Sequence, residues 1–232
     1  MDITLEGKPS YPVAIVRLDP GESLIVESSS MMAMDPQLAV ETTFNGANGG
    51  GLLAWLTAAF VGLVRKFVAG ETMFVNVYRA TGAPGRVLVA PAMVGDIVDI
   101  PLDGSRTVTV QAGSFLACTP GVQQKLQWGG LAMLLSGEGA FFLECSGTGR
   151  LLVNAYGGIR EVAVNGTFLV DDGHTVAWEG PLTYKRRNSG GLKATLLSGE
   201  GRLLEFSGTG KVWVQSRNLA SFIQWITPFF PR

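Results

Sequence analysis

The stretch "LLSGEGAFFLECSGTGRLLV" begins at Leu134, and "LLSGEGRLLEFSGTGKVWV" begins at Leu196, 62 positions later. A chain that writes the same strand-and-glycine sentence twice is built from a duplicated unit, and that limits its folds more than any other feature. Upstream of these stretches, Lys125 corresponds to Lys185, and "AGSFLA" at 112–117 to "DGHTVA" at 172–177, both at a spacing of 60. A third, fainter version precedes them: "PGESLIV" from Pro20 set against "AGSFLA", and "RKFVAGETMFVNVYRATGAPGRVLV" from Arg65 set against "SGEGAFFLECSGTGRLLV". The expectation is one compact unit over 1–232, built from copies at 13–103, 104–165 and 166–227. Gly21 to Gly113 spans 92 positions and Gly70 to Gly137 spans 67, which assigns 25 additional residues to the first copy.

Gly137, Gly139, Gly147 and Gly149 stand where tight turns need positive φ, and "AFFLEC" and "RLLVNAY" between and after them have strand length and composition. A phosphate-cradling loop would be followed by a helix, usually through Lys-Ser or Lys-Thr. Strand-like residues follow each cluster here, so the glycines read as hairpin turns of an all-β fold.

Two segments break the pattern. Leu52, Leu56, Phe60, Leu63 and Phe67 recur at helical steps, Arg65 and Lys66 fall in the last turn, and Gly70 follows, predicting an inserted helix over 52–68. Its 13 uncharged residues from Leu52 to Val64 fall short of the roughly 20 needed to span a bilayer. Burial in the protomer, in a subunit interface, or on a membrane or partner all suit its small-residue stripe of Ala54, Ala58 and Gly62. At the carboxyl end, "RNLASFIQWITPFFPR" predicts a short helix capped by Asn218 and ending before Pro228. Trp225, Phe229 and Phe230 are expected to pack on the core, with a subunit contact as the alternative.

Chemistry is harder to find. Only 16% of the residues are charged, against roughly 25% in an average domain. Such a surface points to partial cover by other chains. Net charge −1 argues against nucleic acid as a partner, and the basic run Lys185-Arg186-Arg187 is short enough for a solvated loop. Cys118 and Cys145 lack metal-ligand spacing and read as buried free thiols in a reducing cytoplasm. The opening "MDITLEGKPSYP" has no basic segment followed by an apolar one, so no secretory signal is expected. His174, beside Asp171 and Asp172, is the one histidine; without a nucleophile motif it reads as structural. Glu138 and Glu200, at equivalent hairpin tips, read as solvated. The expectation is no enzyme, no catalytic, cofactor-binding or metal-binding residue, and no cofactor.

The ordered set "LDPGES", "GGGLL", "GETMFVNVY", "SFLACTPGV", "GEGAFFLECSGTG", "AYGGI", "FLVDDGHTVAWE" and "SGEGRLLEFSGTGKVWVQSRN" resembles the altered-inheritance-of-mitochondria (mitochondrial biogenesis) family along nearly the whole chain. The resemblance implies antiparallel β-sandwich units like those of the tryptophan RNA-binding attenuation protein, TRAP, duplicated within the chain and assembling into cyclic oligomers. It carries over no catalytic residue, and the segment between "GGGLL" and "GE" is longer here than the family pattern. The function expected on this basis is a structural or scaffolding homo-oligomer, a trimer favoured, peripheral to a membrane surface or membrane protein. The alternative is a ring that binds RNA or a small ligand by analogy with TRAP.

Overall fold

The computed structural model describes residues 1–44, 74–128, 141–188 and 202–230. The helix predicted over 52–68, the turns at Gly137, Gly139 and Gly199, and Glu138 and Glu200 lie outside the described residues. What is described is mostly antiparallel sheet with one short α-helix near the carboxyl end. The β-branched and aromatic residues of the strands alternate between core and solvent. In Val13–Leu18, for example, Ala14, Val16 and Leu18 face inward.

The pairing is best followed through two long strands. β1 to β7 are Asp2–Glu6, Val13–Leu18, Ser23–Glu27, Met31–Met34, Leu38–Phe44, Phe74–Ala80 and Gly85–Val89. β8 to β12 are Ile97–Asp103, Val108–Gln111, Phe115–Cys118, Val122–Trp128 and Phe141–Asn154. β13 to β16 are Ile159–Asp171, Thr175–Glu179, Leu182–Asn188 and Arg202–Gln215. The first half of β12 lies between β9 and β11, and its second half between β8 and β10. β16 is wired the same way: the end of β13 and β15 flank its first half, the start of β13 and β14 its second. Gly147 and Gly149, expected at hairpin turns, lie instead inside β12, because each long strand runs on and only changes partners at a glycine of positive φ, Gly147 at 97° and Gly208 at 126°. An added Cβ would meet Gly121 O or Pro181 O at 2.3 Å, so glycine is required there on two counts.

The amino-terminal stretch uses the same partners with its long strand cut in two. β6 lies between β3 and β5, and β7 between β2 and β4, with residues 81–84 as the break. One irregularity dates the correspondence: β4, β10 and β14 each shift register at one place, Met31/Ala33, Phe115/Ala117 and Thr175/Ala177. Met31–Met34, and not the "PGESLIV" stretch, therefore stands where Phe115–Cys118 stands. The sequence reading slipped because "GES" and "GSF" share a glycine and a serine, whereas the true counterpart, "SSSMMAM", has no glycine at all. With the register corrected, the extra length of the first stretch falls between Phe44 and Phe74, which pair as Trp128 pairs with Phe141.

Three apolar clusters fill the layers. One packs β2, β3, β6 and β7 with Leu116 and Leu152; one gathers β9, β10 and β12 with Trp213; the last holds Phe142, Trp178, Leu204 and Phe206. Neighbouring stretches are joined through β10 against β3 and β14 against β9.

The carboxyl helix, α1 (Leu219–Ile226), starts where the sequence predicts: the Asn218 carboxamide oxygen accepts from the amides of Ala220 at 2.9 Å and Ser221 at 3.3 Å. Its aromatics do not follow expectation. Trp225, Phe229 and Phe230 are exposed instead of packed on the core. The core clusters are already closed by Trp178, Phe206 and Trp213 from the strands, which leaves these rings no interior place.

Candidate functional site

The residues with the most obvious chemistry are tied into the scaffold. His174 ends the 3-10 turn Asp172–His174 between β13 and β14. Its Nδ1 lies 2.8 Å from the Gln215 carbonyl; a carbonyl only accepts, so Nδ1 carries the proton. The Gln215 side chain donates to Gly173 O and accepts from the Tyr156 amide, both at 2.8 Å. The Asp171 carboxylate accepts from the Gly173 amide at 3.0 Å and from the Asn218 carboxamide at 3.1 Å. Buried Asp172 pairs with Arg186 at 2.6 Å. This cluster ties β16, the turn and the cap of α1 together. The structure thus brings His174, Asp171 and Asp172 close, with both carboxylates and the imidazole Nδ1 engaged by structural partners.

Both cysteines are buried. Burial pushes the Cys145 thiol up to about 12, and that of Cys118 well above its ordinary value, aided by the neighbouring Cys145. A thiol that stays protonated at neutral pH is a poor nucleophile and a poor metal ligand. Among the described residues, no three His, Cys, Asp or Glu side chains are gathered as a metal site. The basic run, expected in a solvated loop, lies on strand β15 and is largely answered by neighbouring carboxylates. Arg186 pairs with Asp172, Arg187 pairs with Glu205 at 2.5 Å, and Lys185 stands opposite Glu205 in register.

Two features escaped the sequence. The first is a cleft of about 330 Å³ where β9 meets β14, floored by Phe142, Trp178 and Tyr184. Trp178 meets the other two rings edge to face at 5.0 and 5.2 Å. Its carboxylates are engaged: Glu179 takes Arg106 Nη1 on both oxygens at 2.8 and 2.9 Å, and Glu144 accepts from Gln127 at 2.8 Å. Phe142 and Trp178 are themselves buried beneath the cleft, so of the three rings only Tyr184 is exposed, beside the polar side chains of Thr107, Thr109 and Gln127. Trp178 and Tyr184 come from the consecutive strands β14 and β15 and Phe142 from β12, earlier in the chain, which is why no local motif announces the cleft.

The second is the surface of α1. The helix has no buried residue and no charged one; Phe222, Ile223 and Trp225 are exposed, Trp225 by 64%. A ladder of rings runs outward from the sheet: Tyr156 to Phe222 at 6.0 Å, Phe222 to Trp225 at 6.1 Å, Trp225 to Phe229 at 5.6 Å. Soluble surfaces rarely leave a contiguous apolar patch uncovered unless it meets something. No helix among the described residues is long and apolar enough to cross a membrane.

Residues 3–217 match the family described as mitochondrial biogenesis AIM24. A Streptococcus pyogenes (serotype M6) protein described as uncharacterized is 30% identical over 234 residues, covering 100% of this chain and 92% of its own. The X-ray structure of another S. pyogenes protein superposes with a TM-score of 0.78 at 27% identity, covering 99% of each chain.

Proposed function

The chain belongs to the mitochondrial biogenesis AIM24 family, and from that premise we propose that it is a non-enzymatic scaffold: a cyclic homo-oligomer, a trimer favoured, that rests on a membrane surface through α1. We further read its three similarly wired stretches as three TRAP-like sandwich units in one chain. The observation that carries the functional reading is α1 itself, an uncharged helix that stands off the sheets with its aromatic ladder in solvent. Tryptophan on an exposed, uncharged helix suits the headgroup boundary of a bilayer. Supporting it, His174 Nδ1 and the paired arginines engage structural partners and both thiols are buried. The arginine pairs also favour this reading over an RNA-binding ring, because a phosphate backbone would have to displace Asp172 and Glu205.

Vesicle sedimentation of the full chain tests it. Liposomes should pull down the wild type and shift the Trp225 fluorescence to the blue. Trp225→Ala with Phe229→Ala should lower binding about tenfold while leaving the fold intact, since both side chains are exposed. Equal sedimentation of the two proteins contradicts the membrane role.

A further inference from the structure

The two internal junctions define a rule that the chain then leaves unfinished. At the first, β10 lies antiparallel to β3 with Ala117 opposite Val26 and Cys118 opposite Ile25. At the second, β14 lies antiparallel to β9 with Ala177 opposite Val110 and Trp178 opposite Thr109. The common register shift makes Met31–Met34 of β4 the counterpart of β10 and β14. The end of β13 is the counterpart of β3 and β9, because each enters the turn that precedes such a strand and pairs with the first half of its long strand. The third junction in the series would set Ala33 opposite Val170 and Met34 opposite Leu169. Among the described residues, β4 pairs with β7 alone and β13 with β16 alone.

Burial marks the difference position by position. Every residue of β10 and β14 is buried, whereas all four residues of β4 are exposed. Met32 is 61% exposed where Leu116 and Val176 are fully covered. On the opposing strand, Leu169 is 49% exposed where Ile25 and Thr109 are half-buried. These edges also lack the usual guards. "MMAM" and "FLV" carry no charge and no proline, the devices by which natural edge strands refuse a partner. The two edges lie at the ends of separate sheet paths: β4 closes the four-stranded sheet and β13 begins the long one.

We propose that β4 of one chain pairs with the end of β13 of a second copy of this chain, repeating between chains the junction made twice within it, with Met34 opposite Leu169. This rests on the oligomeric reading above and specifies its interface. The contact is head to tail: each chain offers β4 on one side and β13 on the other. Such an interface closes into a ring when the rotation allows, leaving neither of these two edges exposed.

Cross-linking with defined pairs tests it. Directly opposed residues in an antiparallel pair have Cα atoms about 4.5–5.5 Å apart, within disulfide range. Met34→Cys and Leu169→Cys chains, mixed and mildly oxidised, should yield a covalent dimer that neither forms alone. Cys118 and Cys145 are buried and stay silent, and circular dichroism should match the wild type because both substituted positions are exposed. Light scattering on the same samples separates the failures. An oligomer that does not cross-link overturns this junction and leaves the scaffold standing. A mass near 24.6 kDa overturns both. A chain bearing both substitutions that cross-links within itself, with no dimer in the mixture, overturns the second copy as occupant.

Discussion

β10 and β4 are both four-residue apolar strands, one hydrogen-bonded to the second half of β12 and the other to its counterpart β7, and both carry the same register shift. One is wholly buried and the other wholly exposed. The difference is not in their composition, since "MMAM" is no more polar than "FLAC". It lies in whether a neighbouring stretch supplies a strand on the far side. Burial in this fold is a property of junctions, and a strand's own residues decide only whether it tolerates one.

The comparison breaks most sharply at the alanine shared by all three strands. Ala117→Glu or Ala177→Glu puts an unpaired charge inside a completed junction and should cost about 3–5 kcal/mol, a loss read from the urea midpoint. Ala33→Glu should leave the folding of the chain nearly unchanged and instead dissociate the oligomer. A smaller effect is expected along the long strands. Gly147→Val or Gly208→Val forces a side chain into positive φ and against a carbonyl, and should cost about 2–4 kcal/mol. Gly82→Val, in the break between β6 and β7 with nothing within 4 Å, should cost less than about 1 kcal/mol.

The thiols sharpen the same contrast. Cys118 occupies in a made junction the place that Met34 holds at the open edge. Ellman's reagent at pH 8 should find no thiol in the native wild type and one in the dissociated Met34→Cys chain. Burial raises both native thiols above their unfolded values. Their protonated form therefore contributes stability in full below about pH 9, and this is lost as pH rises toward about 12. The smallest effect belongs to Arg86, whose exposed guanidinium bonds Asp35 just after β4 and holds its carboxyl below the usual range. A lowered carboxyl contributes only above its unfolded value and loses that contribution on acidification. Arg86→Ala should leave the thermal midpoint at pH 7 indistinguishable from wild type.

Part of this wiring was legible in the sequence. Lys125 and Lys185, and the paired "SGTG" segments within β12 and β16, mark equivalent places that the wiring respects, and Asn218 announces α1 through its side-chain chemistry. Legibility failed where the evidence is relational. Nothing in "MMAM" says that it corresponds to "FLAC", because the glycine turn before it has become "SSS". Trp225, Phe229 and Phe230 carry the composition of core residues, but composition does not say that the interior is already full. The aromatic cleft depends on which strands cross at β9 and β14, a long-range fact that no local pattern of Phe142, Trp178 and Tyr184 records.

Hydrogen exchange read by mass spectrometry at residues 31–34, beside 115–118 and 175–178, tests most directly the claim that one junction is completed between chains. In a concentrated sample the three strands should show comparable protection, and dilution below the oligomer's dissociation constant should release 31–34 alone. Exchange at 31–34 that is fast at every concentration, or slow at every concentration down to the single chain, contradicts the account.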